Sequence, residues 1–169
     1  LRLIPFDSLE NLLADGDVHL MFSFAGSVPK GARYWELLRC PVCCVCAPDY
    51  PLAGEGPVTM EELRRGGRIA VCRPPICPQD LFAVQSRVVG DRGPEEILFC
   101  DNLEVMFTLA QAGYAFAMTV DIPGTRTAEL CWRRVSDVPP LSFGAVSLPG
   151  QRDSGARRLL ELLKESLGS

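Results

Sequence analysis

The chain has 169 residues, of which 47% are hydrophobic and 22% charged, the make-up of an ordinary globular protein long enough for one domain or two small lobes. Its 17 Lys and Arg stand against 21 Asp and Glu, a formal net charge of −4, and the nearest thing to a basic cluster (Arg152, Arg157, Arg158) abuts acidic residues, too little for a nucleic-acid footprint. No apolar run reaches the length of a membrane span, and no basic-then-apolar start marks a signal peptide.

Strand and helix signals alternate from the first residue. Arg2–Phe6 reads as a short apolar strand. Asp7 or Ser8 caps a helix through Asp15, with Leu9, Leu12 and Leu13 on one face and Gly16 as its stop. Val18–Phe24 is almost continuously apolar, as in a strand covered on both faces. Tyr34–Ala47 reads as one long strand region. Thr59 and Glu62 have the spacing of a capping box, opening a short helix that Gly66 and Gly67 end. Arg68–Arg73 is a strand, and Pro78 suits the first turn of a helix reaching about Val88.

The next unit is the clearest. Ile97–Cys100 is a strand, and Asp101 caps a helix with Glu104 in the reciprocal position. Leu103, Met106, Phe107 and Ala110 form the helix's apolar stripe, and Gly113 ends it. Ala115–Val120, Glu129–Val135 and Ser142–Leu148 follow as strands. Ser154 caps a last helix, in which Ala156, Leu159, Leu160, Leu163 and Leu167 recur at helical spacing. The alternation predicts α/β architecture with mostly parallel sheets.

Eight cysteines are many for this length. Four crowd into Cys40, Cys43, Cys44 and Cys46, where neighbours on an extended segment point to opposite faces and are poorly placed for structural bridges. Buried free thiols in a reducing compartment, the cytoplasm, are the economical reading. Cys40-Pro41-Val42-Cys43 has the outline of a zinc knuckle, but a site needs a second pair and Cys72 with Cys77 is spaced too loosely. No metal or cofactor is expected. His19 is the only histidine, mid-strand in an apolar segment, so neither a Ser-His-Asp nor a Cys-His set forms without it. Nothing in the chain argues for an enzyme.

Four stretches in order carry a family resemblance. Gly16 to Phe22 reads GDVHLMF; Asp49 to Ala53 reads DYPLA at the end of a long strand; Glu62-Leu63 falls in a short helix; and Ala112 to Val120 reads AGYAFAMTV. Together they resemble the effector-binding domain of LysR-type transcriptional regulators. His19 departs from that family's usual Asp, Ala115 from its second Gly and Val120 from its Pro. The resemblance implies the type II periplasmic-binding-protein fold: two α/β lobes joined by two crossover strands with a small molecule held in the cleft. Mapped here, lobe I is 1–47 with 118–169 and lobe II is 48–117, with crossovers near Val45–Ala47 and Ala117–Val120. It also implies a homodimer that meets DNA only through a winged helix-turn-helix absent from this chain. The family's first strand and helix precede Leu1 and have no counterpart here. Either the lobe is remodelled, another chain fills the gap, or the sequence is not the whole folded unit.

Ligands in open α/β sheets sit beyond the carboxyl ends of strands. Applied to these strands and the family mapping, the rule selects Ser23 and Phe24, Arg73 and Pro74, Asp101 and Asn102, and Met118 and Thr119. Arg73 is either a bidentate clamp for an effector carboxylate or a solvated loop arginine. Asp101, as an anion at a helix start, disfavours an anionic ligand there, and Asn102 either donates to a ligand or faces solvent. Two other readings compete: an extracytoplasmic solute-binding protein of the same fold, and a zinc- or thiol-dependent enzyme.

Overall fold

The computed structural model describes residues 9–90, 92–150 and 154–167. The strand expected over Arg2–Phe6 and the caps expected at Asp7 and Ser8 lie outside them. The first half contains α1 (Leu9–Ala14), β1 (Met21–Phe24), β2 (Arg33–Cys40), β3 (Val42–Cys46), α2 (Met60–Arg64), β4 (Ile69–Cys72) and α3 (Gln79–Val89). Then come β5 (Ile97–Cys100), α4 (Leu103–Gln111), β6 (Phe116–Val120), β7 (Cys131–Arg134), β8 (Leu141–Ser147) and α5 (Ser154–Leu167).

The long strand expected over Tyr34–Ala47 is two strands divided at Pro41, whose ring nitrogen has no proton to give a ladder. The division separates two sheets. One has the order β1-β8-β2, the other β5-β4-β6-β3-β7. Contacts likewise divide the chain into two compact units, Leu1–Arg39 with Ser142–Ser169, and Cys40–Leu141. Val45–Ala47 and Ala117–Val120, mapped from sequence as crossovers, fall at the end of β3 and within β6, two strands that pair antiparallel. Because β7 pairs with β3 in turn, residues 40–47 and 118–141 group with β4 and β5.

In the first unit β1 lies antiparallel to β8, Met21 opposite Val146 and Phe24 opposite Phe143. The strand expected from Val18 starts only at Met21, because β8 ends at Ser147, two residues before Pro149. Alternation sends Met21 and Ser23 inward and Phe22 and Phe24 outward, where both rings lie against Phe143. Leu13, Met21 and Val146 form the core. α1 stops at Ala14, and two residues on the chain turns at Gly16, whose φ of +77° only glycine adopts freely. On α5, Leu160 is buried while Leu159 is 45% exposed.

In the second unit β5, β4 and β6 run parallel, and β3 and β7 run antiparallel to their neighbours. β3 is covered along its whole length, all five residues buried, which is why it reads Val-Cys-Cys-Val-Cys with no polar alternation. α3 and α4 cover opposite faces. Gln85 of α3 donates to the Met118 carbonyl at 3.2 Å, and Met106 of α4 meets Cys72 at 3.9 Å. The outer edge of β7 is closed by Val58, which donates to Arg134 O and accepts from Ser136 N.

The short helix α2 has the capping box expected from Thr59 and Glu62. At α4 the cap is Asn102 rather than the expected Asp101. Its Oδ1 accepts from Val105 N at 2.8 Å, and the helix frame starts one residue later than the Asp101–Glu104 spacing implied.

At Gly144 β8 and β2 approach tightly: a Cβ there would lie 2.1 Å from the Trp35 carbonyl oxygen. Backbone cannot yield as a flexible side chain does, so Gly144→Ala should destabilise the protein by about 1–3 kcal/mol, the range for overpacking. Urea unfolding measures this; an unchanged midpoint would show that the approach is looser.

Candidate functional site

Parallel strands in register bring their carboxyl ends to one line. Cys72 is level with Cys100, and since Ile69 is level with Phe116, continuing the register puts Cys72 beside Thr119. The loops leaving β4, β5 and β6 therefore set Arg73, Asp101 and Asn102 along one edge of the second unit's sheet, together with Thr119 and Asp121. β3 starts at the same edge, with Cys43 opposite Thr119.

Arg73 is exposed and its guanidinium lies 3.8 Å over the Phe99 ring. Phe99 is 56% exposed on the edge strand, so the pair forms a small platform at the rim. Arg73's own carbonyl accepts from Ile76 and Cys77 amides at 2.9 and 3.3 Å, which folds the loop back toward α3. Pro74 is half-buried and joined to Pro75 by a cis bond. Asp101 and Asn102 are exposed at the start of α4. Cys72 donates to the Asn102 carbonyl at 3.5 Å, tying the two loops together.

Met118 is fully buried, its side chain on the face toward α3. Thr119 is half-buried on the opposite face. Six of the eight positions selected from sequence thus lie on or just behind one sheet edge. Ser23 and Phe24 belong to the other unit; Ser23 is buried and Phe24 packs 5.1 Å from Phe143.

Sequence reading missed two features of this edge. One is Phe99, whose exposure is decided by β5 lying at the end of the sheet order. The other is Asp121, reached by carrying the strand-end rule one residue past Val120. Asp121 accepts twice from Arg126, at 2.9 and 2.5 Å, and those bonds hold its carboxyl below the usual range. That pair neutralises itself, whereas Arg73, and Arg134 opposite Cys43 at the same edge, have no carboxylate partner among the described residues.

Two surface depressions lie elsewhere. One of about 100 Å³ is lined by His19, Arg33, Trp35 and Arg157. The other, about 570 Å³, is lined by Arg64, Arg87, Arg92 and Glu96, but Arg64 and Arg92 are engaged with helix ends. Arg92 donates to the carbonyls of Leu63 at 2.7 Å and Arg64 at 2.8 Å, and Arg64 to that of Arg87 at 3.0 Å. They satisfy the orphan acceptors at the ends of α2 and α3, a place whose dipoles disfavour an anion.

Among the described residues no group of three or more His, Cys, Asp or Glu is arranged to hold a metal ion. The knuckle-like Cys40 and Cys43 straddle Pro41 between two strands, and both are buried. Burial pushes Cys43 up to about 11 and Cys77 up to about 12, which keeps these thiols protonated.

The sequence profile of the LysR substrate binding domain matches residues 1–168. No curated protein matches the chain. Among solved structures, a mutant of OxyR from Corynebacterium glutamicum superposes with a TM-score of 0.71 at 20% identity, over 96% of this chain and 52% of that one. HinK, a LysR family transcriptional regulator from Pseudomonas aeruginosa, gives 0.75 at 17% identity, over 95% and 56%. Full-length CbnR with its target DNA gives 0.72 at 15% identity, over 96% and 57%. The chain therefore spans a little over half the length of these proteins, and at such identities the likeness is one of fold.

The loop after β5 yields a test of its own. Asn102→Ala should cost about 1 kcal/mol, the usual value of a lost N-cap, whereas Asp101→Ala should leave urea stability nearly unchanged. Equal losses, or a larger loss at Asp101, would contradict the observed cap.

Proposed function

The chain belongs to the LysR substrate-binding-domain family, and on that premise we propose that it is the effector-sensing part of a LysR-type transcriptional regulator. In this reading a small molecule docks at the carboxyl edge of the five-stranded sheet, against Arg73, Asn102 and Thr119. It acts by preferring one of two arrangements of the whole regulator, since only differential affinity shifts such an equilibrium. DNA is contacted by a separate domain of that regulator, and the protein works as a homodimer in the cytoplasm without catalysing a reaction. The family match over nearly the whole chain supports the sensing role. The fold is shared with solute-binding proteins, but the family matched is that of the regulators, and no helix among the described residues is long and apolar enough to cross a membrane.

The observation that carries the ligand class is the Arg73–Phe99 platform. A guanidinium held over a ring interacts through its charge with the ring face and keeps its N–H donors available for other acceptors. Arg73 spends none of them on a protein acceptor among the described residues, while nearby Arg126 is spent on Asp121. A guanidinium held over an aromatic ring, with no acceptor of its own among the described residues, suits a carboxylate, which accepts two parallel hydrogen bonds from it. Asp101 opposes dianions, favouring a ligand with a single acidic group.

A panel of small monocarboxylic acids, screened by thermal shift and followed by calorimetry, tests this. For any acid that stabilises the protein, Arg73→Ala should weaken binding by about 1.5–3 kcal/mol, the loss of a charged hydrogen-bonding partner. Equal affinity with the fold intact would remove Arg73 from the site. The same chain should show no sequence-selective DNA binding at low salt, because it has no clustered basic face. Selective, salt-sensitive retention of one duplex would overturn the assignment of DNA contact to another domain.

A further inference from the structure

All eight cysteines are free, and all but Cys131 are buried. Most are chemically quiet. Burial raises Cys40, Cys43, Cys72, Cys77 and Cys100 above the ordinary thiol range, and a protonated, covered thiol is a poor nucleophile. The three thiols at the far end of β3 differ in geometry and in environment.

Cys46 on β3 and Cys131 on β7 are direct cross-strand partners, with side chains on the same face. Val135 N donates to Val42 O at 2.9 Å. Counting along the antiparallel ladder from that hydrogen-bonded pair places Cys46 and Cys131 in the same class, with Cα atoms about 5.5 Å apart. Disulfides bridge Cα separations of about 4.4–6.8 Å, so the backbones are already within reach. A small local twist of the edge strand β7 draws the Cβ atoms, about 5.5 Å apart in such a pair, into the range of about 3.5–4.5 Å that the bond needs. The two differ in access. Cys131 is half-exposed, its Sγ lying 3.5 Å from Gly54 N and 3.4 Å from Gly54 O, whereas Cys46 is fully covered. Cys44, two residues back on the same face, completes the row.

We propose that Cys46 and Cys131 form a modification site, at which a hydroperoxide oxidises Cys131 and a disulfide to Cys46 then joins β3 to β7. Access fixes the order of events. The Cys131 thiolate attacks a peroxide oxygen; the O–O bond breaks, leaving Cys131 as a sulfenic acid and releasing water or an alcohol. The Cys46 thiolate then attacks the Cys131 sulfur; an S–S bond forms, the S–O bond breaks, and the departing hydroxide takes up a proton. Two thiols lose two electrons and two protons, and the peroxide is reduced.

The surroundings of Cys46 suit the second step. A hydrogen bond from Cys44, the Arg133 guanidinium and the contact with Cys131 lower its pKa against the effect of burial, and Cys44 is raised in compensation. Arg133 is held there by the carbonyls of Leu52, Gly56 and Pro57, at 2.9, 3.2 and 2.8 Å. Cys72 and Cys100 are also register partners, but both are buried and neither has a neighbouring cation among its pKa-shifting contacts.

The test exposes reduced protein to a small excess of hydrogen peroxide. Thiols are counted after denaturation, and peptides are mapped without reduction. The expected result is loss of two of the eight thiols, recovered as one peptide linking Cys46 to Cys131. Cys46→Ala should instead leave a sulfenic acid at Cys131 that dimedone captures, and Cys131→Ala should keep all its remaining thiols. Cys44→Ala should form the same link more slowly. Retention of all eight thiols, a link between any other pair, or direct passage of Cys131 to a sulfinic acid would overturn the proposal. Cys131→Ala alters a half-exposed position, so its result does not depend on a repacked core.

Discussion

Every other element of the larger unit depends on the burial of β3. A strand hydrogen-bonded on both edges and covered on both faces has no solvent side, so each of its residues must be apolar and small enough for the layers above and below. Val42, Cys43, Cys44, Val45 and Cys46 are each no more than 1% exposed. Cysteine suits such a position because it is compact, tolerates complete burial and carries only a weak donor. The unusual cysteine content of the chain is thus first a packing solution. It gains chemical character only where β7, an edge strand, brings Cys131 to the surface.

From β3 the sheet extends in two senses. Toward β6, β4 and β5 the strands run parallel, which aligns three carboxyl ends and gathers Arg73, Asn102 and Thr119 at one rim. Toward β7 the pairing stays antiparallel and the sheet is closed by Val58. Arginine is used differently on the two sides. Arg92 and Arg133 spend their donors on main-chain carbonyls and fix the loops around α2, and Arg126 is paired with Asp121. Arg73 rests over an aromatic face and donates to no acceptor among the described residues. The same residue type reads alike in the sequence and means three different things, because partner geometry decides the role.

Local signals proved legible. Ile97–Cys100, the Thr59–Glu62 box, the helix after Pro78 and the glycine stop at Gly113 all depend on interactions within a few residues, and each appears in the structure where its pattern places it. The misses are of two kinds. At Asp101 and Asn102 two good capping residues stand side by side, and the helix frame set by packing of Met106 and Ala110 selects the second. Pro41 was readable as a break within the run from Tyr34 to Ala47, since proline cannot serve a central ladder. The grouping of β7 with β3, and of both with β4, was not readable at all: it rests on pairings between residues about ninety positions apart, which no local period encodes. The candidate site has the same split. Strand ends named most of its rim, but Phe99 became visible only once β5 was known to lie at the edge.

Amide hydrogen exchange tests the ordering of the larger unit most directly. If β3 and its partner β6 form the centre on which the rim depends, the amides of Cys43 to Cys46 and of Ala117 to Thr119 should exchange only through global unfolding, with protection equal to the stability measured by urea. Amides of β5, at the open edge, should exchange by smaller local openings. Exchange of the β3 amides as fast as those of β5 would contradict a sheet built outward from a buried β3.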